Sequence, residues 1–123
     1  MTTTTHDVIL CLASNCQQKQ YLEAARKLLS GVLADLRYTS EHWTDPVNAK
    51  TPEKYLNQLA TGTTSLDADT LNVHLKKIEQ QLDRKHDKSG VVTIDIDLLK
   101  YDDTRYHLRD WERDYVKDLL VEL

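Results

Sequence analysis

Two aspartates, Asp95 and Asp97, flank an isoleucine in the run Thr93-Ile94-Asp95-Ile96-Asp97-Leu98. In an extended chain successive side chains alternate, so both carboxylates stand on one side, with Thr93, and Ile94, Ile96 and Leu98 on the other. Asp is depleted in strands, and two carboxylates held at i and i+2 repel. The usual reason to place them so is a divalent cation shared with a phosphate-bearing ligand, and magnesium is the first hypothesis. The competing reading is a half-exposed strand that carries two aspartates for solubility. Just before it, residues 84–90, Arg-Lys-His-Asp-Lys-Ser-Gly, form a cationic connection. Phosphates of a metal-bound nucleotide need counter-charge there, although a solvated turn has the same composition. No G-x-x-x-x-G-K-S loop is present, so a nucleotide is not held by a P-loop.

The elements that must position these groups belong to one domain. A chain of 123 residues builds a single core, residues 1–123, with residues 1–5 having nothing to bury and expected to be disordered. Sixteen Lys and Arg against twenty Asp and Glu give a net charge of -4, with the basic residues dispersed, which argues against nucleic acid as a partner. Two cysteines, Cys11 and Cys16, make neither a disulfide framework nor a metal site and fit a reduced, cytoplasmic protein. The longest apolar run, residues 8–13, is far too short for a membrane span, and MTTTTHD lacks the layout of a signal peptide.

In chain order, the continuous apolar run at 8–13 predicts a first strand inside a sheet. Leu22, Ala25, Leu29, Leu33 and Leu36 recur at steps of three and four, which predicts a helix over 18–36. Residues 37–44 are rich in aromatic and β-branched types and predict a second strand; residues 45–54, with Pro46 and Pro52, predict a loop. Residues 55–64 predict a third strand. Leu71, Leu75, Ile78 and Leu82, after the cap-like Ser65-Leu66-Asp67, predict a second helix ending near Arg84. The acidic strand is predicted over 91–101 and a short third helix over 107–123. This order is the split βαβ arrangement of an α+β, ferredoxin-like sandwich: an antiparallel sheet with helices on one face and the other open to ligand unless a loop or the terminal helix covers it.

Six motifs then fall in a familiar order. They are Val-Ile-Leu-Cys-Leu-Ala-Ser-Asn at 8–15, Thr44 with Pro46, Tyr55-Leu56-Asn57, Ile78-Glu79 with Arg84, the Thr-Ile-Asp-Ile-Asp-Leu run, and His107, Arg113 and Tyr115 ahead of Leu120 and Glu122. In these the chain resembles the 6-hydroxymethyl-7,8-dihydropterin pyrophosphokinases, ferredoxin-like enzymes of folate synthesis. The resemblance implies transfer of pyrophosphate from ATP to the pterin hydroxymethyl group, leaving AMP, with two magnesium ions. It implies Asp95 and Asp97 as metal ligands and catalytic residues, and Glu79, Arg84, Lys88, His107 and Arg113 on ATP. Thr44, Pro46, Tyr55, Asn57 and Tyr115 would form the pterin site, the two tyrosines sandwiching the flat ring while Asn57 bonds its edge. The partners implied are ATP and a pterin, for a monomer or weak homodimer. The chain also departs from the family. Where the family reads Trp-Gly-Pro-Arg-Thr, this chain has Ser89-Gly90-Val91-Val92-Thr93, and the segment between Tyr101 and His107 is shortened. Loss of that arginine opens a second reading, a non-catalytic ferredoxin-like module that binds a nucleotide, a pterin or a protein partner.

Overall fold

The apolar runs become strands of one six-stranded sheet in the computed structural model, which describes residues 4–46 and 50–123. In chain order the elements are β1 (His6–Ser14), α1 (Gln18–Leu29), β2 (Ala34–Tyr38), β3 (His42–Thr44), β4 (Tyr55–Thr64), α2 (Ala68–Gln81), β5 (Asp95–Tyr101), β6 (Thr104–Arg105), a 3-10 turn (Asp110–Glu112) and α3 (Asp114–Leu120). The sheet runs β2-β4-β1-β5-β6, with β3 also on β4, and every pairing is antiparallel. This is the predicted α+β sandwich, with β4 between β2 and β1, and β1 between β4 and β5. Among the described residues no helix is long and apolar enough to cross a membrane. The reading of residues 1–5 as disordered lies outside the described residues at 1–3, as does the loop reading at 47–49.

Two cores sit on opposite faces of the sheet. Leu10, Leu12, Leu56, Ala60, Ile94, Ile96 and Leu98 pack under α1 and α2, with Leu22, Leu29, Leu71, Leu75 and Ile78 from the helices. The alternation read from the acidic run is therefore kept: its aliphatic residues face the helices. On the other face α3 and the 3-10 turn lay Trp111, Val116 and Leu119 over Cys11, Leu59 and Leu99. The terminal helix thus covers one half of that face and leaves the other half open. Strand β5 serves both cores by alternation: Ile96 and Leu98 face the helices, and Leu99, on the side of Asp95 and Asp97, enters the second core. Beyond Leu98 its register on β1 shifts, Leu10 pairing with Leu98 but Ile9 with Lys100.

Several element boundaries differ from the sequence reading. Helix α1 stops at Leu29 rather than continuing to Leu36, because Ser30 and Gly31 close it and the amides of Val32 and Leu33 bond back to the Leu29 carbonyl. Leu33 is still buried and Leu36 still packs on the core, but from a turn and a strand, which is why the helical spacing extended through them. The strand over 37–44 is two strands, broken where the buried Thr39 takes the Leu59 amide on its Oγ1 and gives its own amide to the Leu59 carbonyl. Regular pairing in the acidic strand starts at Asp95, not at 91. Thr93, expected beside the aspartates, is buried with its hydroxyl unpaired among the described residues. The last predicted helix is a 3-10 turn followed by the seven-residue α3. The cap reading at Asp67 holds, its carboxylate accepting from the Thr70 amide at 2.7 Å.

Candidate active site

Sheet register brings the site together. On β1, Ala13 lies opposite Asp95 on one side and Asn57 on the other, and Asn57 lies opposite His42 of β3. Directly opposed residues project to the same face, so Asp95, Ala13, Asn57 and His42 form one row across four strands. The next row carries Asp97, Cys11 and Leu59. Ala13 and Cys11 are small, and the space above them is a cleft of about 390 Å³. Its walls include Asp95, Asp97, Thr44, Pro46, Tyr55, Asn57 and Tyr115, so the two carboxylates and all five residues assigned to the pterin share one cavity.

Asn57 is buried and held: its Nδ2 donates to the His42 carbonyl at 3.0 Å and to Thr44 Oγ1 at 2.9 Å. Among the described residues its Oδ1 takes no donor, so the amide offers the cleft an acceptor. The Tyr115 ring stacks on His42 at 6.2 Å between centroids, and its hydroxyl lies 4.0 Å from Cys11 Sγ. Burial pushes the Cys11 thiol up to about 12, with the Asp97 charge adding to it, and burial also raises the Tyr115 hydroxyl. Neither group ionises near neutrality, so neither is a nucleophile or base here.

Asp97 is the perturbed carboxyl. Burial, then the Asp95 charge, pushes its pKa up to about 6, while Lys76 and His107 work in the opposite direction. Lys76 Nζ lies 3.6 Å and His107 Nε2 3.9 Å from Asp97 Oδ1. Asp97, His107 and Asp110 offer ligand atoms within 4.8 Å of one another, and Asp110 also accepts from Arg113 Nε at 3.1 Å. Two carboxylates side by side, one of them resisting ionisation, suit a hard divalent cation better than an apolar ligand.

The residues assigned to ATP are more dispersed. Arg113 lines the cleft; His107 does not, but its Nε2 lies 3.9 Å from Asp97 Oδ1. Glu79 is 1% exposed and does not line the cleft; its Oε2 accepts from the Ile96 amide at 2.8 Å and from Lys76 Nζ at 2.9 Å. Arg84 gives Nη1 to the Lys85 carbonyl, and its Nε is buried without a partner among the described residues. Lys88 is exposed on the connection into β5.

Four residues of the site escaped the sequence reading. Asn15 clasps the loop before β5, its Oδ1 accepting from the Val92 amide at 2.7 Å and its Nδ2 donating to the Gly90 carbonyl at 2.9 Å. Lys50 and Asp110 line the cleft, and Lys76 reaches Asp97 from α2. Asn15 had a signal, since it closes the first quoted motif. The other three lie on segments whose approach to the aspartates is purely tertiary. Gly90, with φ +82°, lets the clasped loop pass Lys50, where an added Cβ would come within 2.7 Å of the Lys50 Cβ.

Comparison with known proteins gives the family. The chain matches the family model described as 7,8-dihydro-6-hydroxymethylpterin-pyrophosphokinase over residues 9–123. It is 30% identical over 134 residues to the folate synthesis bifunctional protein of Arabidopsis thaliana, in an alignment that takes in 99% of this chain and 28% of that protein. The chain thus spans less than a third of the length of that relative. The match runs from β1 through the acidic pair to the end of α3, and the chain belongs to the 7,8-dihydro-6-hydroxymethylpterin-pyrophosphokinase family.

Proposed function

We propose that this cleft transfers the pyrophosphoryl group of magnesium-ATP to the hydroxymethyl group of 6-hydroxymethyl-7,8-dihydropterin, leaving AMP, as a step of folate biosynthesis. The observation that carries the reading is one cavity holding Asp95 and Asp97 together with Tyr55, Asn57 and Tyr115, in a chain of this family. Asp95 and Asp97 would hold magnesium, two ions accompanying ATP, and the metal would supply positive charge to the phosphates. Tyr55 and Tyr115 bury the faces of the pterin, and Asn57 Oδ1 accepts from its edge because Nδ2 is already committed to His42 and Thr44. Thr44 and Pro46 shape the rim. Arg113 and His107 orient the nucleotide. Arg84 and Lys88 add cationic charge from the 84–90 connection, and Glu79 acts through the strand it holds. Transfer of this kind needs alignment and charge neutralisation, not a protein nucleophile, which is consistent with the un-ionised Cys11 and Tyr115. We place the protein in the cytoplasm as a soluble single domain, monomeric or a weak homodimer, without nucleic acid or membrane partners.

One observation favours the second reading. Val92 lines the cleft at the position where the family carries arginine. Without that cation a binding module, taking a nucleotide, a pterin or a protein partner without turnover, retains the same walls. AMP release from magnesium-ATP, with and without the pterin, separates the two. Pterin-dependent AMP that disappears in an Asp95→Ala, Asp97→Ala double variant supports the enzyme. Folded protein that releases none, and gains activity on Val92→Arg, supports the module.

A further inference from the structure

We propose that Lys76 is a built-in counter-charge that sets how tightly the acidic pair takes up a divalent cation. The proposal rests on the reading that Asp95 and Asp97 hold that cation. Along β5, β1 occupies one edge, while on the other β6 pairs only with Lys100 and Tyr101. The Ile96 peptide groups, between the two aspartates, therefore meet no strand on that side. Helix α2 completes the edge with side chains: Glu79 Oε2 accepts from the Ile96 amide at 2.8 Å, and Lys76 Nζ donates to the Ile96 carbonyl at 3.2 Å.

Having taken the place of a strand, Lys76 cannot swing freely into water. Its ammonium is held by Glu79 Oε2 at 2.9 Å and the Ile96 carbonyl, and in that position it stands 3.6 Å from Asp97 Oδ1. A half-buried cation fixed beside a metal ligand repels an arriving divalent ion, because the intervening medium screens less than bulk water. Glu79, 2% exposed in its side chain, neutralises part of that charge but does not line the cleft. The arrangement buffers the carboxylate pair without metal and weakens its hold on free cation.

The test uses the full chain and Mn²⁺ alone, with free ion counted by electron paramagnetic resonance at pH 8, where Asp97 is ionised. Lys76→Gln keeps amide donors for Glu79 and the Ile96 carbonyl but removes the charge. It should bind Mn²⁺ about ten-fold tighter than wild type at low salt, with the gain shrinking as ionic strength rises. Lys76→Arg, which keeps the charge, should stay within about two-fold. Lys76→Met serves if the Gln variant does not fold, with the same expectation. Unchanged or weaker Mn²⁺ binding in a folded, uncharged variant overturns the role of Lys76, and leaves the metal reading standing if the Asp95→Ala, Asp97→Ala double variant loses binding. A double variant that binds as wild type, or no binding in any variant, overturns both.

Discussion

Glu79 on α2 and Ile96 on β5 are joined by a 2.8 Å hydrogen bond from the Ile96 amide to Glu79 Oε2, made by a carboxylate that is almost wholly buried. The bond fixes the backbone of the one residue that separates the two aspartates. A residue that does not touch the cleft thereby sets the orientation of both groups that line it.

Replacing Glu79 by Ala should cost about 3 kcal/mol in urea unfolding, since it leaves the Ile96 amide unpaired and removes the main partner of Lys76. Glu79→Gln keeps an acceptor for the amide and should cost about 1 kcal/mol. If the two variants lose equally, the hydrogen bond is not what the carboxylate contributes.

Asp97 carries a native pKa of about 6, above its ordinary value of 3.8. A raised native pKa means that this group favours the folded state when protonated, and that the contribution is lost as pH rises through about 6. Asp97→Asn should therefore stabilise the protein by about 2 kcal/mol at pH 7.5, the gain fading towards pH 4, while abolishing transfer. Thermal melts of both proteins across that range check the sign. Divalent-cation affinity of the wild type should fall below pH 6 as Asp97 takes up a proton.

Gly90→Ala strains a left-handed residue and pushes a methyl group against Lys50. Because this loop is clasped by Asn15, the strain should open the rim of the cleft. Kd for the pterin should rise about ten-fold while overall stability drops by only about 1 kcal/mol. A calorimetric titration with the pterin, beside a melt, measures both; a large loss of stability with normal binding would contradict the loop's role.

Tyr115→Phe should leave pterin affinity within about two-fold, since the hydroxyl makes only a 4.0 Å contact with Cys11 Sγ. Tyr115→Ala should weaken it about a hundred-fold by removing a buried aromatic wall. Fluorescence titration with the pterin distinguishes loss of the ring from loss of the hydroxyl.

Much of this was legible in the sequence where one local pattern dominates. Strand β4 begins at Tyr55 and ends at Thr64, as its composition indicates, and Ile94, Ile96 and Leu98 face the helices as alternation requires. The errors arose where burial continues after the local structure has changed. Leu33 and Leu36 keep helical spacing beyond the end of α1, and Thr39 breaks a strand by bonding a neighbour twenty residues away. The walls of the cleft were readable through a family motif for Tyr55, Asn57 and Tyr115. Lys76, Lys50 and Asp110 were not, because what places them beside the aspartates is packing between segments, and a single lysine on a helix face looks like any solvated charge.

The clasp of Asn15 on Gly90 and Val92 joins residues 75 and 77 positions apart. Such a closure cannot form early in folding, because its loop entropy is repaid only after β1 and β5 already lie side by side. The rim of the cleft should thus be assembled late, no sooner than the pairing of β1 with β5. A refolding chain should regain its circular dichroism before it regains ligand affinity, and destabilising conditions should silence the cleft before they dissolve the sheet.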